Sequence, residues 1–126
     1  AKGCLDEAIK YAKERVQFGK PIAKFQNTQF KIAEMATMVE AARQMVYSVA
    51  EKLDRGEKCD TEAAMAKLFA TEVANKVAYM AVQIHGGYGY MREYAVERLY
   101  RDARLVSIYE GTSEVQKMVI GGAMLK

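Results

Sequence analysis

The sequence has 126 residues, enough for one domain that buries roughly two thirds of its unfolded surface. Half of the residues are apolar, and the net charge of only +3 comes from interleaved acidic and basic side chains. This pattern argues against a nucleic-acid-binding protein, which needs clustered basic charge. No apolar run approaches the ~20 residues that cross a membrane, and Cys4 and Cys59 form no Cys-x-x-Cys pair. We therefore expect a soluble, cytoplasmic protein with free thiols and no membrane span.

The first predicted helix is marked by apolar residues that recur in steps of four, three and four, at Leu5, Ile9, Ala12 and Val16. It should end near Phe18-Gly19, because the residue before Pro21 avoids the helical region. Arg15 would then lie near the helix end, where its guanidinium could bind an anion through two hydrogen bonds. The alternative is a last-turn cation that the helix dipole favours.

Two longer helices are predicted next, each with apolar residues in alternating steps of three and four. The first stripe comprises Ile32, Met35, Val39, Ala42, Val46, Val49 and Leu53, and the second Ala63, Ala66, Ala70, Val73, Val77, Met80 and Ile84. Between them Gly56 suits a left-handed helix end, and Asp60 is predicted to cap the following helix. The second helix has small residues and a wide apolar face, so we expect it to be the most buried.

A glycine cluster ends the second long helix at Gln83-Ile84-His85-Gly86-Gly87-Tyr88-Gly89. Glycines allow a ligand or another backbone to approach closely, although a tight turn is the commoner use of such a cluster. His85 is more readily a residue of the helix end than a catalytic or metal-binding one. No group of His, Cys, Asp and Glu has the spacing of metal ligands, so we predict no metal.

Two further helices are predicted, from Glu93 to about Leu105 and from about Glu114 to Ala123. The expected fold is all-α, an up-and-down four-helix bundle with a short extra C-terminal helix. Ser113 and Gln116 have the spacing of a capping box. Glu110 and Gly111 therefore fall in a break between two helices. The carboxylate could act as a general base if its cavity excludes water, while a solvated turn is the alternative.

Three separated motifs together resemble the C-terminal domain of the acyl-CoA dehydrogenases. The first is Arg15-x-x-Phe18-Gly19-Lys20-Pro21 followed by Gln26, and the second is the Gln83-Ile84-x-Gly86-Gly87-x-Gly89 segment. The third is Ile108-Tyr109-Glu110-Gly111-Thr112, which follows an Arg-Asp-Ala-Arg sequence. The resemblance covers essentially the whole chain. It implies that residues 1–126 are a single helical-bundle domain, a fragment of a larger three-domain flavoenzyme.

The resemblance also implies a flavin adenine dinucleotide (FAD) cofactor and assigns the site residues. Glu110 would be the base that abstracts the α-proton of an acyl-CoA thioester, so that trans-2-enoyl-CoA forms. Gly111 would give the thioester access to the backbone. The positions that match FAD-binding ones are Arg15, Phe18, Gln26, Gln83, Ile84, His85, Gly86, Gly87, Thr112, Ser113 and Glu114.

The implied partners are an acyl-CoA substrate of fatty acid β-oxidation, an electron-transferring flavoprotein, and further copies of the chain in a homotetramer (a dimer of dimers). A glutamate at position 110 favours the straight-chain, short-branched and dicarboxylyl branches, whereas acyl chain length is not encoded in this segment. Two alternatives remain open. They are an enoyl-CoA reductase of the same family and a non-catalytic helical oligomerisation module. The fragment alone is expected to be inactive.

Overall fold

The computed structural model describes all residues from 1 to 126 and contains five α-helices. They are α1 (Lys2–Glu14), α2 (Gln26–Asp54), α3 (Asp60–His85), α4 (Ala95–Leu105) and α5 (Ser113–Met124). A two-stranded hairpin, β1 (Val16–Gln17) and β2 (Lys20–Pro21), follows α1, and 3-10 turns span Ile22–Lys24 and Gly86–Tyr90. The all-α prediction is confirmed. None of the helices combines the length and the apolar character needed to span a membrane.

Helix α3 is the centre of the fold, because it contacts each of the other four helices. Its side chains Val77, Ala78 and Ala81 are fully buried, and they pack in one core with Met35 of α2 and Val96 of α4. Small residues along α3 allow these neighbours to approach closely. As predicted, α3 contributes more buried residues than any other helix. Cys4 and Cys59 are buried free thiols.

The end of α1 differs from the prediction. The helix ends at Glu14, and Val16 pairs with Pro21 in an antiparallel hairpin. Phe18 and Gly19 form the turn with φ angles of +53° and +77°, the left-handed pair that suits the twist of a two-residue hairpin. The apolar period of α1 therefore stops at Ala12, and Val16 is exposed.

The turn between α2 and α3 confirms one prediction and corrects another. Gly56 has φ +72°, and its N–H donates to the carbonyl of Leu53 at 2.9 Å while Glu57 donates to Lys52 at 3.0 Å. These two bonds satisfy the last carbonyls of α2. Asp60, however, is the first residue of α3 rather than its cap. Its carboxylate lies in the first turn, where the helix dipole favours negative charge.

The cap of α5 is also shifted from the predicted residue. The hydroxyl of Thr112, not of Ser113, accepts the N–H of Val115 at 3.3 Å. Gln116 does not complete a capping box, because its side chain donates to the carbonyl of Gly111 at 3.3 Å. No residue of α5 is buried in the chain.

Candidate active site

A cleft of about 480 Å³ lies between the end of α1, the hairpin and the glycine cluster. It brings together five of the predicted cofactor-binding residues with neighbouring aromatic side chains. The lining residues are Tyr11, Arg15, Gln17, Ile22, Ile84, His85, Gly86, Gly87, Tyr88 and Met91. We call this the glycine cleft.

Arg15 lies directly after α1 and reaches across the glycine cleft. Its guanidinium carbon is 5.1 Å from the centre of the Tyr88 ring, within the range of a cation–π interaction. The side chain forms no ion pair with a carboxylate of the chain. The guanidinium donors are therefore available to an anion in the cleft.

The glycines of the cluster have different roles. Gly86 has φ +60°, and at both Gly86 and Gly87 a Cβ atom would meet nothing within 4 Å. These two residues leave open backbone on the cleft. Gly89 is buried, and a Cβ there would lie 2.6 Å from the carbonyl oxygen of Val82. Gly89 is thus required for packing, whereas Gly86 and Gly87 leave space for a ligand.

His85 forms the wall of the glycine cleft and is only 3% exposed. Its Nδ1 lies 2.8 Å from the carbonyl oxygen of Ala81, so the proton is assigned to Nδ1. Burial lowers the pKa of His85, and the Ala81 carbonyl and Glu7 offset this only in part. The neutral form of the imidazole is therefore favoured. No group of three or more His, Cys, Asp or Glu side chains lies close enough to hold a metal ion.

Three predicted cofactor-binding residues, Phe18, Gln26 and Gln83, line neither the glycine cleft nor the groove between α3 and α5. Phe18 is 91% exposed at the tip of the hairpin, where its ring meets the edge of Phe25 with centroids 6.1 Å apart. Gln26 and Gln83 are exposed, at the start of α2 and near the end of α3. The chain alone does not bring these three side chains to one ligand.

The second cluster is the break between α4 and α5, residues 106–112. Glu110 has φ +50° and Gly111 has φ +90°, so both adopt the left-handed conformation. A glutamate rarely adopts it. The N–H groups of Glu110, Gly111 and Thr112 donate no hydrogen bond to another group of the chain. A carboxylate and three free backbone donors therefore occupy consecutive residues.

The carbonyl oxygen of Gly111 is held from two helices. Lys67 Nζ on α3 donates to it at 2.6 Å, and Gln116 Nε2 on α5 donates at 3.3 Å. The N–H of Ser113 also bonds back to the carbonyl of Ser107 at 3.1 Å. These bonds fix the break although it has no regular secondary structure.

The side chain of Glu110 is exposed in the chain. A cavity that excludes water was the condition for a general base, and these 126 residues do not form one around this carboxylate. A groove of about 730 Å³ lies beside the break, between α3 and α5. Thr112, Ser113 and Glu114 line it. The pKa of Glu114 is lowered, first by its own backbone N–H and then by the Thr112 hydroxyl, so this carboxylate stays ionised.

The two clusters lie in different parts of the chain. Lys67 contacts the break and Ile84 lines the glycine cleft, and both belong to α3. A helix rises about 1.5 Å per residue, so these two positions are ~25 Å apart along α3. The predicted residues therefore form two separate groups.

Sequence reasoning did not find Lys67 or Tyr11. Tyr11 lies next to Ala12 on the buried face of α1, and its ring packs against His85 with centroids 4.2 Å apart. Its helical spacing from Ala8 and Cys4, three and seven residues earlier, was the available signal. Lys67 contacts a residue 44 positions away, and no local pattern indicates such a pairing.

The chain belongs to the acyl-CoA dehydrogenase family, because residues 1–125 match the family's C-terminal domain. It is 59% identical over all its 126 residues to the 3-(aryl)acrylate reductase of Clostridium sporogenes, and covers 33% of that protein. It is 60% identical to the caffeyl-CoA reductase–Etf complex subunit CarC of Acetobacterium woodii, again over all its residues and 33% of the relative.

Solved structures agree with this assignment. The butyryl-CoA dehydrogenase of Megasphaera elsdenii superposes with a TM-score of 0.98 at 52% sequence identity, over 99% of this chain and 33% of that one. The chain thus spans about one third of the length of the relatives that it matches.

Proposed function

We propose that the chain is the C-terminal domain of a larger, three-domain FAD-dependent acyl-CoA dehydrogenase, in which Glu110 abstracts the α-proton of an acyl-CoA thioester. One observation carries this proposal. A carboxylate stands in a left-handed break beside three backbone N–H groups that have no partner in the chain. The side chain is exposed, and the free donors are of the kind that stabilise developing negative charge.

The chemistry requires both features. The α-hydrogen of a thioester is weakly acidic, so the base must be near it and shielded from water. The enolate oxygen that develops needs hydrogen-bond donors already in place, and the N–H of Glu110 itself is one candidate. Gly111 has no side chain that would hinder the approach of the thioester. Bound FAD would accept the hydride that leaves the β-carbon, and trans-2-enoyl-CoA would be released.

The residues present fit FAD as a ligand. Arg15 has an unpaired guanidinium, which suits the diphosphate of a dinucleotide. Gly86 and Gly87 leave open backbone beside it. The N-terminus of α5, with Thr112 and Ser113, offers hydroxyl and amide donors on the second groove.

A homotetramer, arranged as a dimer of dimers, would explain why these groups are separated. The glycine cleft of one chain and the α4–α5 break of another would then serve the same cofactor. The exposed apolar residues support this arrangement. On α5, Met118 is 75% exposed and Leu125, just after the helix, is 89% exposed, and such residues are normally covered by protein.

The walls of a dry cavity around Glu110 would come from the other domains and subunits. We further propose a cytoplasmic enzyme of fatty acid β-oxidation that passes electrons to an electron-transferring flavoprotein. The Acetobacterium woodii relative is named as a subunit of a caffeyl-CoA reductase–Etf complex.

Reduction of a 2-enoyl thioester is the second candidate. Relatives at 59% and 60% identity are named as reductases of aryl acrylates and of caffeyl-CoA. The same base, once protonated, would return the proton to the α-carbon. A non-catalytic oligomerisation module is a third candidate, and the presence of both Glu110 and Arg15 argues against it.

The test is a chimera in which this chain replaces the matched third of the Megasphaera elsdenii butyryl-CoA dehydrogenase. We expect a yellow protein whose flavin absorbance bleaches with a panel of saturated acyl-CoA thioesters. Glu110→Gln should retain FAD and bleach about 10²–10⁴-fold more slowly. Normal bleaching by the Gln variant would refute the assignment of Glu110 as the base. A colourless chimera would refute the assignment of FAD as the cofactor. Reoxidation by 2-enoyl thioesters, faster than bleaching, would favour the reductase.

A further inference from the structure

The backbone of the α4–α5 break has few bonds to hold it. Its three N–H groups at residues 110–112 are unpaired. The carbonyl of Gly111 is the only group of the Glu110–Gly111 pair that hydrogen-bonds to other elements of the chain. A carbonyl oxygen has two lone pairs, and here two side-chain donors occupy it. The Glu110–Gly111 pair is therefore held directly only through this oxygen, while the Ser113–Ser107 bond closes the break around it.

Of the two donors, Lys67 is the stronger. Its Nζ–O distance is 2.6 Å, compared with 3.3 Å for Gln116 Nε2. A bond from a charged donor is about twice as strong as one between neutral groups. Lys67 is also partly buried and forms no ion pair with any carboxylate. Its ammonium group is thus committed to the Gly111 carbonyl and not to a surface salt bridge.

The two donors also lie on helices that differ in burial. Lys67 lies on α3, which is the central helix of the core, whereas Gln116 lies on α5, which has no buried residue. A bond to α3 ties the break to the helix at the centre of the core, whereas a bond to α5 ties it to a helix without buried residues. Lys67 is therefore the donor that fixes the break relative to the core.

We propose that Lys67 is a positioning residue, which holds the Gly111 carbonyl and so keeps Glu110 in the left-handed conformation that aims its carboxylate. The proposal rests on the proposed function of Glu110. A catalytic group displaced by about 1 Å can lose a factor of about 10² in rate. Loss of Lys67 should therefore lower the rate of the chemical step and leave the affinity for the substrate nearly unchanged.

The kinetic test uses the chimera described above. Lys67→Met should lower kcat about 10- to 100-fold while KM and FAD content stay within about twofold. Lys67→Arg, whose guanidinium can still donate to the carbonyl, should recover most of the activity. Gln116→Met should have a smaller effect. Lys52→Met is the matched control, because Lys52 is also partly buried and donates one charged bond, to Glu62 at 2.8 Å, but away from the break.

A second measurement is independent of activity. In the chain itself, hydrogen–deuterium exchange of the 107–113 peptide, which includes the Ser113 amide bonded to Ser107, should be at least about fivefold faster in Lys67→Met. The Arg variant and the Lys52→Met control should match the wild type. Unchanged exchange, or unchanged kcat in Lys67→Met, would overturn the proposal. If Glu110→Gln is inactive and Lys67→Met is normal, only the role of Lys67 fails, whereas full activity of Glu110→Gln removes the proposed function instead.

Discussion

The imidazole of His85 stacks on the ring of Tyr11, with the ring centroids 4.2 Å apart and the planes inclined by 23°. Tyr94 meets both rings edge-on, with its centroid 5.8 Å from each of them. This aromatic group joins α1 to the end of α3 at the point where the glycine cleft opens. It explains how a helix that ends at Glu14 and a loop that starts at Gly86 keep a fixed relation.

Truncating Tyr11 should destabilise the protein considerably. Tyr11 is 9% exposed, and removing a buried aromatic ring costs about 3–5 kcal/mol. We expect this loss for Tyr11→Ala in the free energy of unfolding by urea. Tyr47 is 58% exposed, so Tyr47→Ala should change stability by less than about 0.5 kcal/mol. Equal effects of the two substitutions would contradict the packing described here.

Stability should depend on pH through His85, which is the only histidine. Its pKa in the folded protein lies below the ordinary value of 6.5, because burial disfavours the charged form. The unfolded chain therefore binds the proton first as the pH falls. The stabilisation of the folded state by the neutral His85 ring is complete above pH 6.5. It decreases below that pH, until the pH reaches the lowered pKa of the folded state.

Urea denaturation between pH 7.5 and 5 measures this dependence. His85→Phe keeps an aromatic ring next to Tyr11 but cannot titrate, so its stability should vary less with pH over that range. The carboxyl groups of Glu62, Glu97 and Glu114 have a pKa below the ordinary 4.5. The stability that these ionised groups contribute is therefore lost only below that pH, outside the range of the experiment. The same pH dependence in wild type and variant would exclude His85 as the cause.

The glycine cluster offers a matched pair of substitutions. Gly89→Ala would place a Cβ 2.6 Å from the Val82 carbonyl and 2.9 Å from His85 Cβ. Overpacking of this kind costs about 1–3 kcal/mol. Gly87→Ala meets nothing within 4 Å and does not have a positive φ, so its thermal midpoint should match the wild type. In the chimera, the same Gly87→Ala should weaken FAD retention, because its methyl group protrudes into the cleft.

The cap of α5 can be located by two alanine substitutions. Thr112→Ala removes the acceptor of the Val115 N–H and should cost about 1 kcal/mol. Ser113→Ala should cost less than about 0.5 kcal/mol, because its hydroxyl caps nothing. A larger loss of stability for Ser113→Ala than for Thr112→Ala would instead identify Ser113 as the cap, as the sequence pattern predicts.

Periodicity predicted the long helices well, because burial against a common core imposes one apolar face on each of them. It failed where a single residue decides the geometry. At Val16 the chain leaves the helix for a hairpin that the turn at Phe18 and Gly19 allows. At Thr112 the cap lies one residue before the predicted position.

The candidate site was predictable to a similar extent. The glycines and Glu110 could be found because each belongs to a motif whose own residues lie close together in the sequence. Lys67 could not, since it meets Gly111 only through packing of α3 against the break. The exposure of Glu110 could not be predicted either, because periodicity says nothing about residues outside helices and strands.

The second half of α2 has a consequence for how the molecule opens. No residue from 43 to 54 is buried, although Val46 and Leu53 continue the apolar period there. In the isolated chain this end of the helical hairpin should fray well before the core unfolds, as a separate cooperative unit of low stability. Limited trypsin digestion should then cut first at Arg55 or Lys58 and leave the α1–α3–α4 core intact.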